Sequence, residues 1–214
     1  MTLDEITALE YEWLQKQPDH GLMEERHALL QKTGVYEAWR KIFREYVILA
    51  RTGNREALKR SLFLYWYSWA EPHELSGIPP LDKDLAREVM GMIDNMLRRG
   101  ESDVELMWML PFYCSVADFY FDSLGPGQFE KLRQASKENG NLWKTGCMES
   151  SFESRGQLGK YWKSIQKNVA RWGPEGPPPP PPDWRSPDEG KSLRERALDI
   201  LREGQMGEGA EGKP

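Results

Sequence analysis

The run Ser61 to Ala70, SLFLYWYSWA, constrains the fold more than any other stretch of the chain. It carries Phe63, Tyr65, Trp66, Tyr67 and Trp69 with almost no polar relief. A helix that is apolar on all sides is buried on all sides. Helical phase is set just upstream by Ala57, Leu58 and Leu62, with Asn54 as an N-cap behind Gly53. Pro72 then stops the helix. The run is expected to be the central helix of an all-α domain.

The rest of the chain reads as helices around it. Thr2 with Glu5 forms a capping box for a helix to about Gln17, with Ile6, Leu9 and Trp13 on its apolar face. Pro18-Asp19 breaks it and recaps a second helix carrying Leu22, Met23, Leu29 and Leu30, closed by Gly34. Val35, Trp39, Ile42, Tyr46 and Leu49 give a third its three-four stripe. The loop Ser76 to Leu81 is stiffened by Pro79-Pro80. Asp82 caps a helix presenting Leu85, Val89, Met92, Ile93 and Met96. Ser102 with Glu105 is a second capping box, opening a helix from Val104 to Leu124 that Pro111 is expected to kink or divide. A short helix spans Gln128 to Glu138, and periodicity lapses over 139–156. It returns with Leu158, Trp162, Ile165, Val169 and Trp172.

No period-two strand run occurs. The expected architecture is all-α: a single globular domain of about seven or eight helices over 1–172. A proline-rich linker over 173–190 follows, in which Pro177 to Pro182 forms a polyproline II spacer. Residues 191–214 carry an amphipathic segment, with Leu193, Ala197, Ile200 and Leu201, and then a Gly- and Glu-rich tail too polar to build a core.

The net charge of −5 is distributed in blocks of alternating sign. Residues 1–30 hold seven acids and two bases, whereas residues 31–60 hold three acids and eight bases. Residues 61–124 are acidic, 125–172 basic, and the tail acidic again. Such blocks can neutralise one another across a fold, and the acidic total argues against general nucleic-acid binding. Two cysteines form no disulfide framework, so a reducing compartment is expected. There is no signal-peptide layout and no run approaching the ~18 apolar residues of a membrane span. The expected location is the cytoplasm.

Candidate chemistry is sparse. His20, Glu24 and His27 fall at steps of four and three on one helical face, and Glu24-x-x-His27 is half of a carboxylate-bridged di-iron motif. That motif needs a second Glu-x-x-His, and none occurs. No metal site and no cofactor are therefore assigned. Glu71, His73 and Glu74 are the weak catalytic candidates, because a carboxylate beside an imidazole on a proline-containing loop can serve acid–base chemistry. Asp118 and Asp122 lie one turn apart without a second acidic motif, and nothing in the sequence activates Cys114. Lys160, Lys163, Lys167 and Arg171 recur beside the last apolar stripe, a row that can meet an acidic partner. Arg171-x-x-Pro174-x-x-Pro177 fits the pattern that polyproline-reading grooves take.

Gly-rich phosphate loops, Gly-x-Ser-x-Gly elbows and His-Glu-x-x-His motifs are all missing. The expected function is a non-enzymatic protein-interaction module, an adaptor, inhibitor or immunity-type protein, whose partner is another protein met through Lys160, Lys163, Lys167 and Arg171. The alternatives are an enzyme of unmarked class with its site near Glu71, His73 and Glu74, and an RNA-contacting protein using the basic 158–172 helix.

Overall fold

The computed structural model describes residues 1–18, 21–101, 103–117, 124–125, 127–140, 142–144 and 152–172, all in one compact unit, Met1–Gly176. Among them every regular element is helical: α1 (Leu3–Gln15), α2 (Met23–Lys32), α3 (Val35–Arg51), α4 (Arg55–Ala70), α5 (His73–Ser76), α6 (Lys83–Arg98), α7 (Val104–Ala117), α8 (Glu130–Glu138) and α9 (Gly156–Trp172). A 3-10 turn, Leu142–Lys144, lies between the last two. No described helix is long and apolar enough to cross a membrane. The hexaproline, the Leu193–Leu201 segment, Cys147, Asp118, Asp122 and His20 lie outside the described residues.

α4 is the central helix. It packs against α3, α6, α7 and α9, and Ser61 through Tyr67 are buried without interruption. Asn54 caps it by accepting from the Ala57 amide at 2.9 Å. Glu71, forced out of the helical region by the following proline, ends it in an extended conformation. The rings of α4 meet those of α7 and α9: Trp66 stacks on Tyr113 at 4.6 Å between centroids. The indole N–H of Trp66 donates to the Tyr113 carbonyl at 3.0 Å, and that of Trp162 donates to the Tyr113 hydroxyl at 3.0 Å. These two indoles thus keep a partner, which is the condition for burying a Trp at low cost, whereas the equally buried Trp39 indole N–H finds none among the described residues.

The charge blocks do pair across the fold. Arg51 meets Glu88, Arg55 meets Glu101, and Lys59 meets Asp103 and Glu105, joining the basic 31–60 block to acids of 61–124. A half-buried chain of polar groups runs further inward. Arg155 forks onto Glu56 at 2.8 and 2.6 Å and also binds Glu105. Glu56 accepts from Arg60, whose Nη1 donates to the Tyr46 hydroxyl at 2.9 Å. Tyr46 donates to Glu10 at 2.6 Å, and Glu10 accepts from the Gln157 amide at 2.7 Å. A carboxylate of α1 thereby satisfies an orphan amide at the start of α9. Asp94 on α6 does the same for α8, accepting from the Leu132 amide at 3.1 Å.

Three local readings need correction. The cap of α7 falls on Asp103, whose carboxylate accepts from the Leu106 amide at 2.9 Å; Ser102 lies outside the described residues. Pro111 does not divide α7, because the packing of Leu106, Met109, Leu110 and Tyr113 outweighs one lost hydrogen bond. In α2, Leu22, Met23 and Leu29 are exposed while Arg26 is buried with Leu30, for a reason that lies in the site below.

Gly156 is fixed by this architecture. Its φ is +57°, and a Cβ there would run into the Glu10 carboxylate. Gly91, mid-helix in α6, has open space instead. Gly156→Ala is expected to cost more than about 1 kcal/mol, and Gly91→Ala to stabilise by roughly 0.5–1 kcal/mol. Thermal melts of the two variants should move in opposite directions; a shared sign would contradict the fit between Glu10 and α9.

Candidate functional site

α5 is a single helical turn between Pro72 and Gly77: the His73 carbonyl accepts from the Gly77 amide at 2.9 Å, and a turn that short leaves the carbonyls of Glu74, Leu75 and Ser76 to find partners elsewhere. The buried Arg26 supplies them from α2: Nε donates to the Glu74 carbonyl at 2.8 Å and Nη2 to the Leu75 carbonyl at 3.2 Å. Gln17 donates to the Ser76 carbonyl at 3.0 Å. Gly77 ends the turn at φ +68°, where a Cβ would strike the Gln17 side chain. This is why an arginine occupies the inner face of α2: it clamps backbone rather than filling a core.

The clamp sets His73 and Glu74 beside α2 and α3. His73 Nε2 lies 2.9 Å from Glu74 Oε1, and His27 Nδ1, on α2, lies 3.9 Å from the same oxygen. The Tyr36 hydroxyl, at the start of α3, is 3.2 Å from His27 Nδ1. The three rings form a triangle with centroid separations of 5.3 Å (His27–His73), 5.6 Å (His27–Tyr36) and 5.7 Å (Tyr36–His73). Burial pushes the Tyr36 phenol up, and the Glu74 charge pushes it further against the opposing pull of Arg40. Tyr36 is therefore a protonated hydroxyl at neutral pH.

The His27 side chain is 44% exposed and the His73 side chain 35%, so both rings reach solvent. They line a crevice of about 210 Å³ together with Gln31, Tyr36, Arg40 and Pro79. One ligand atom each from His27, His73 and Glu74 lies within 4.8 Å of the others, the one such group among the described residues that could hold a metal ion. A second crevice, of about 270 Å³, lies between the α3–α4 junction and α6. Its Arg51, Arg55 and Arg99 are engaged by Glu88 and Glu101, which makes it a structural seam.

The sequence candidates are thus regrouped. His27 and His73 belong to different sequence clusters and meet in space. Glu24 is exposed and outside the group. Glu71 also stands outside it; its charge acts on Tyr67, which burial first and Glu71 second push up to about 12. Lys160, Lys163, Lys167 and Arg171 are all exposed along α9, with Lys163 paired to Glu153. Cys114 is half-buried in α7. What sequence reasoning missed is Tyr36 and the union of the two histidines, for which no spacing rule exists.

Compared with models of known families, with curated proteins and with solved structures, the chain finds no match.

Proposed function

We propose that the protein is a ligand-binding protein whose working site is the crevice lined by His27, Tyr36 and His73, with Glu74 held 2.9 Å from His73. The observation that carries this reading is the convergence of two accessible imidazoles and a carboxylate from distant segments, held by a buried arginine. A helical core gains nothing from such an arrangement. Imidazoles and carboxylates in an accessible concavity are the groups that bind and exchange protons with small polar ligands. The reading develops the acid–His alternative of the sequence, with His27 and Tyr36 added and Glu71 removed.

A second reading is the interaction module. It is favoured by the row Lys160, Lys163 and Lys167, exposed along one helix that leads into the proline-rich segment. An acidic protein is the partner such a row fits.

Restoration of function in a native host lacking the chromosomal copy separates the two. The His27→Ala/His73→Ala chain is expected to fail, and a Lys160→Glu/Lys163→Glu/Lys167→Glu chain to succeed, both with helical circular dichroism like the parent. The reverse pattern moves the function to α9. Full restoration by both removes both readings, and loss through α9 accompanied by captured RNA favours the RNA-contacting alternative.

A further inference from the structure

We infer that His27, His73 and Glu74 form a three-ligand site for a borderline divalent transition metal of the zinc class, with an open coordination position toward the crevice. The inference rests on the crevice being a binding site and names what it binds first. Two imidazoles and one carboxylate are the ligand type of open zinc sites, where a fourth position is left to water or substrate. Magnesium and calcium prefer all-oxygen shells, so the nitrogen pair selects against them.

Distances favour the same conclusion. Metal–ligand bonds of about 2.0–2.2 Å in a tetrahedral arrangement put donor atoms about 3.3 Å apart. The separations from Glu74 Oε1 are 2.9 Å to His73 Nε2 and 3.9 Å to His27 Nδ1, on either side of that value. Small side-chain rotations close the set without moving backbone.

The support for the ligands is built in. His73 and Glu74 are adjacent on a turn whose carbonyls are held by Arg26 and Gln17. His27 is the residue next to Arg26, so one helical segment supplies both a ligand and the clamp for the other two. Ligands held on supported backbone need little reorganisation on binding. Tyr36 stands 3.2 Å from His27 Nδ1, so its hydroxyl gives up that nitrogen when the ion takes it. Gln31 and the Arg40–Glu37 ion pair line the space beyond, giving the fourth ligand a polar wall.

The test uses the full chain, stripped with a chelator and titrated with Zn²⁺ by calorimetry, and with Co²⁺ by visible absorption, under reducing conditions. One ion per chain is expected, with the tetrahedral absorption of Co²⁺. At a hundredfold excess over Kd, the midpoint of thermal unfolding should rise by roughly 5–10 °C. His27→Ala, His73→Ala and Glu74→Gln should each weaken binding by more than the roughly 10–100-fold that outer-shell partners are worth. Tyr36→Phe removes a hydroxyl that competes with the ion for His27 Nδ1 and should leave binding no weaker. His20→Ala, which removes the third histidine of the chain, should change nothing, and so should a Cys114→Ser/Cys147→Ser chain. Equal binding by the ligand variants, or no binding by the parent beyond that of His27→Ala/His73→Ala, overturns the site. Should an alanine variant misfold, His73→Gln and Glu74→Gln carry the comparison. If zinc binds as expected while His27→Ala/His73→Ala still restores the native host, the metal site stands and the functional reading falls. If zinc fails to bind while that chain still cannot restore the host, only the metal assignment falls.

Discussion

Trp66→Ala is expected to lower stability by about 3–5 kcal/mol. Trp66 is fully buried, stacked on Tyr113, and donates its indole N–H to the Tyr113 carbonyl. Truncation opens a cavity at the junction of α4 and α7 and leaves that carbonyl short of a partner. With a urea dependence of about 2 kcal/mol per molar, the midpoint should fall by roughly 1.5–2.5 M. Trp66→Phe keeps a ring against Tyr113 and should lose less. An unchanged midpoint for the alanine variant would mean that the aromatic cluster does not carry the fold.

Arg155→Met should be nearly as costly, for an electrostatic reason. Arg155 forks onto Glu56 and binds Glu105 where all three side chains are largely shielded from water. Removing one partner of such a group typically costs about 3–5 kcal/mol; Glu56 keeps Arg60 and Glu105 keeps Lys59, which places the expected loss toward the lower end of that range. Burial alone would raise the Glu56 carboxyl, but the hydrogen bonds and charge of Arg155, helped by Arg60, hold it below its ordinary value. A carboxyl lowered by folding contributes stability that is complete above its unfolded pKa of 4.5 and is lost as pH falls through the folded value. The deficit of Arg155→Met should therefore be full at pH 7 and narrow below about pH 4.5. Glu10 has the opposite sign: burial dominates and raises its carboxyl, so its protonation on acidification relieves a cost. Melts of parent and variant between pH 7 and pH 4 measure the difference, and a gap independent of pH would contradict the role of Glu56.

The central helix was legible because its composition leaves no solvent-facing side. The caps at Thr2, Asn54 and Asp82 were legible because each is a contact within three residues. Buried charge was not. Glu10, Asp94 and Arg26 each serve backbone groups at least 38 residues away in sequence, and polar accounting of that kind needs the tertiary neighbours. Read locally, Arg26 is an exposed helix residue and Leu22, Met23 and Leu29 are core; tertiary packing turns the helix the other way. The same rotation brings His27 to His73, so the candidate site and the error in α2 have one cause. His73 and Glu74 were picked out because a proline-bounded acid–His pair is visible locally.

The bond between Glu10 and the Gln157 amide also has a consequence for synthesis. The two residues are 147 positions apart, an interval that takes roughly 7–30 s to translate at about 5–20 residues per second. Throughout that time α1, α3 and α4 can assemble, yet Glu10 has no amide to accept from and Glu56 has no Arg155. The Phe63 and Trp66 rings likewise lack Tyr161, which arrives with α9. A nascent chain at that stage exposes an aromatic surface, while Glu56 and Glu10 rest on Arg60 and Tyr46 alone. Transiently exposed apolar surface of that kind is what makes incomplete chains prone to associate. The first described helix completes its environment only when the last described helix has left the ribosome.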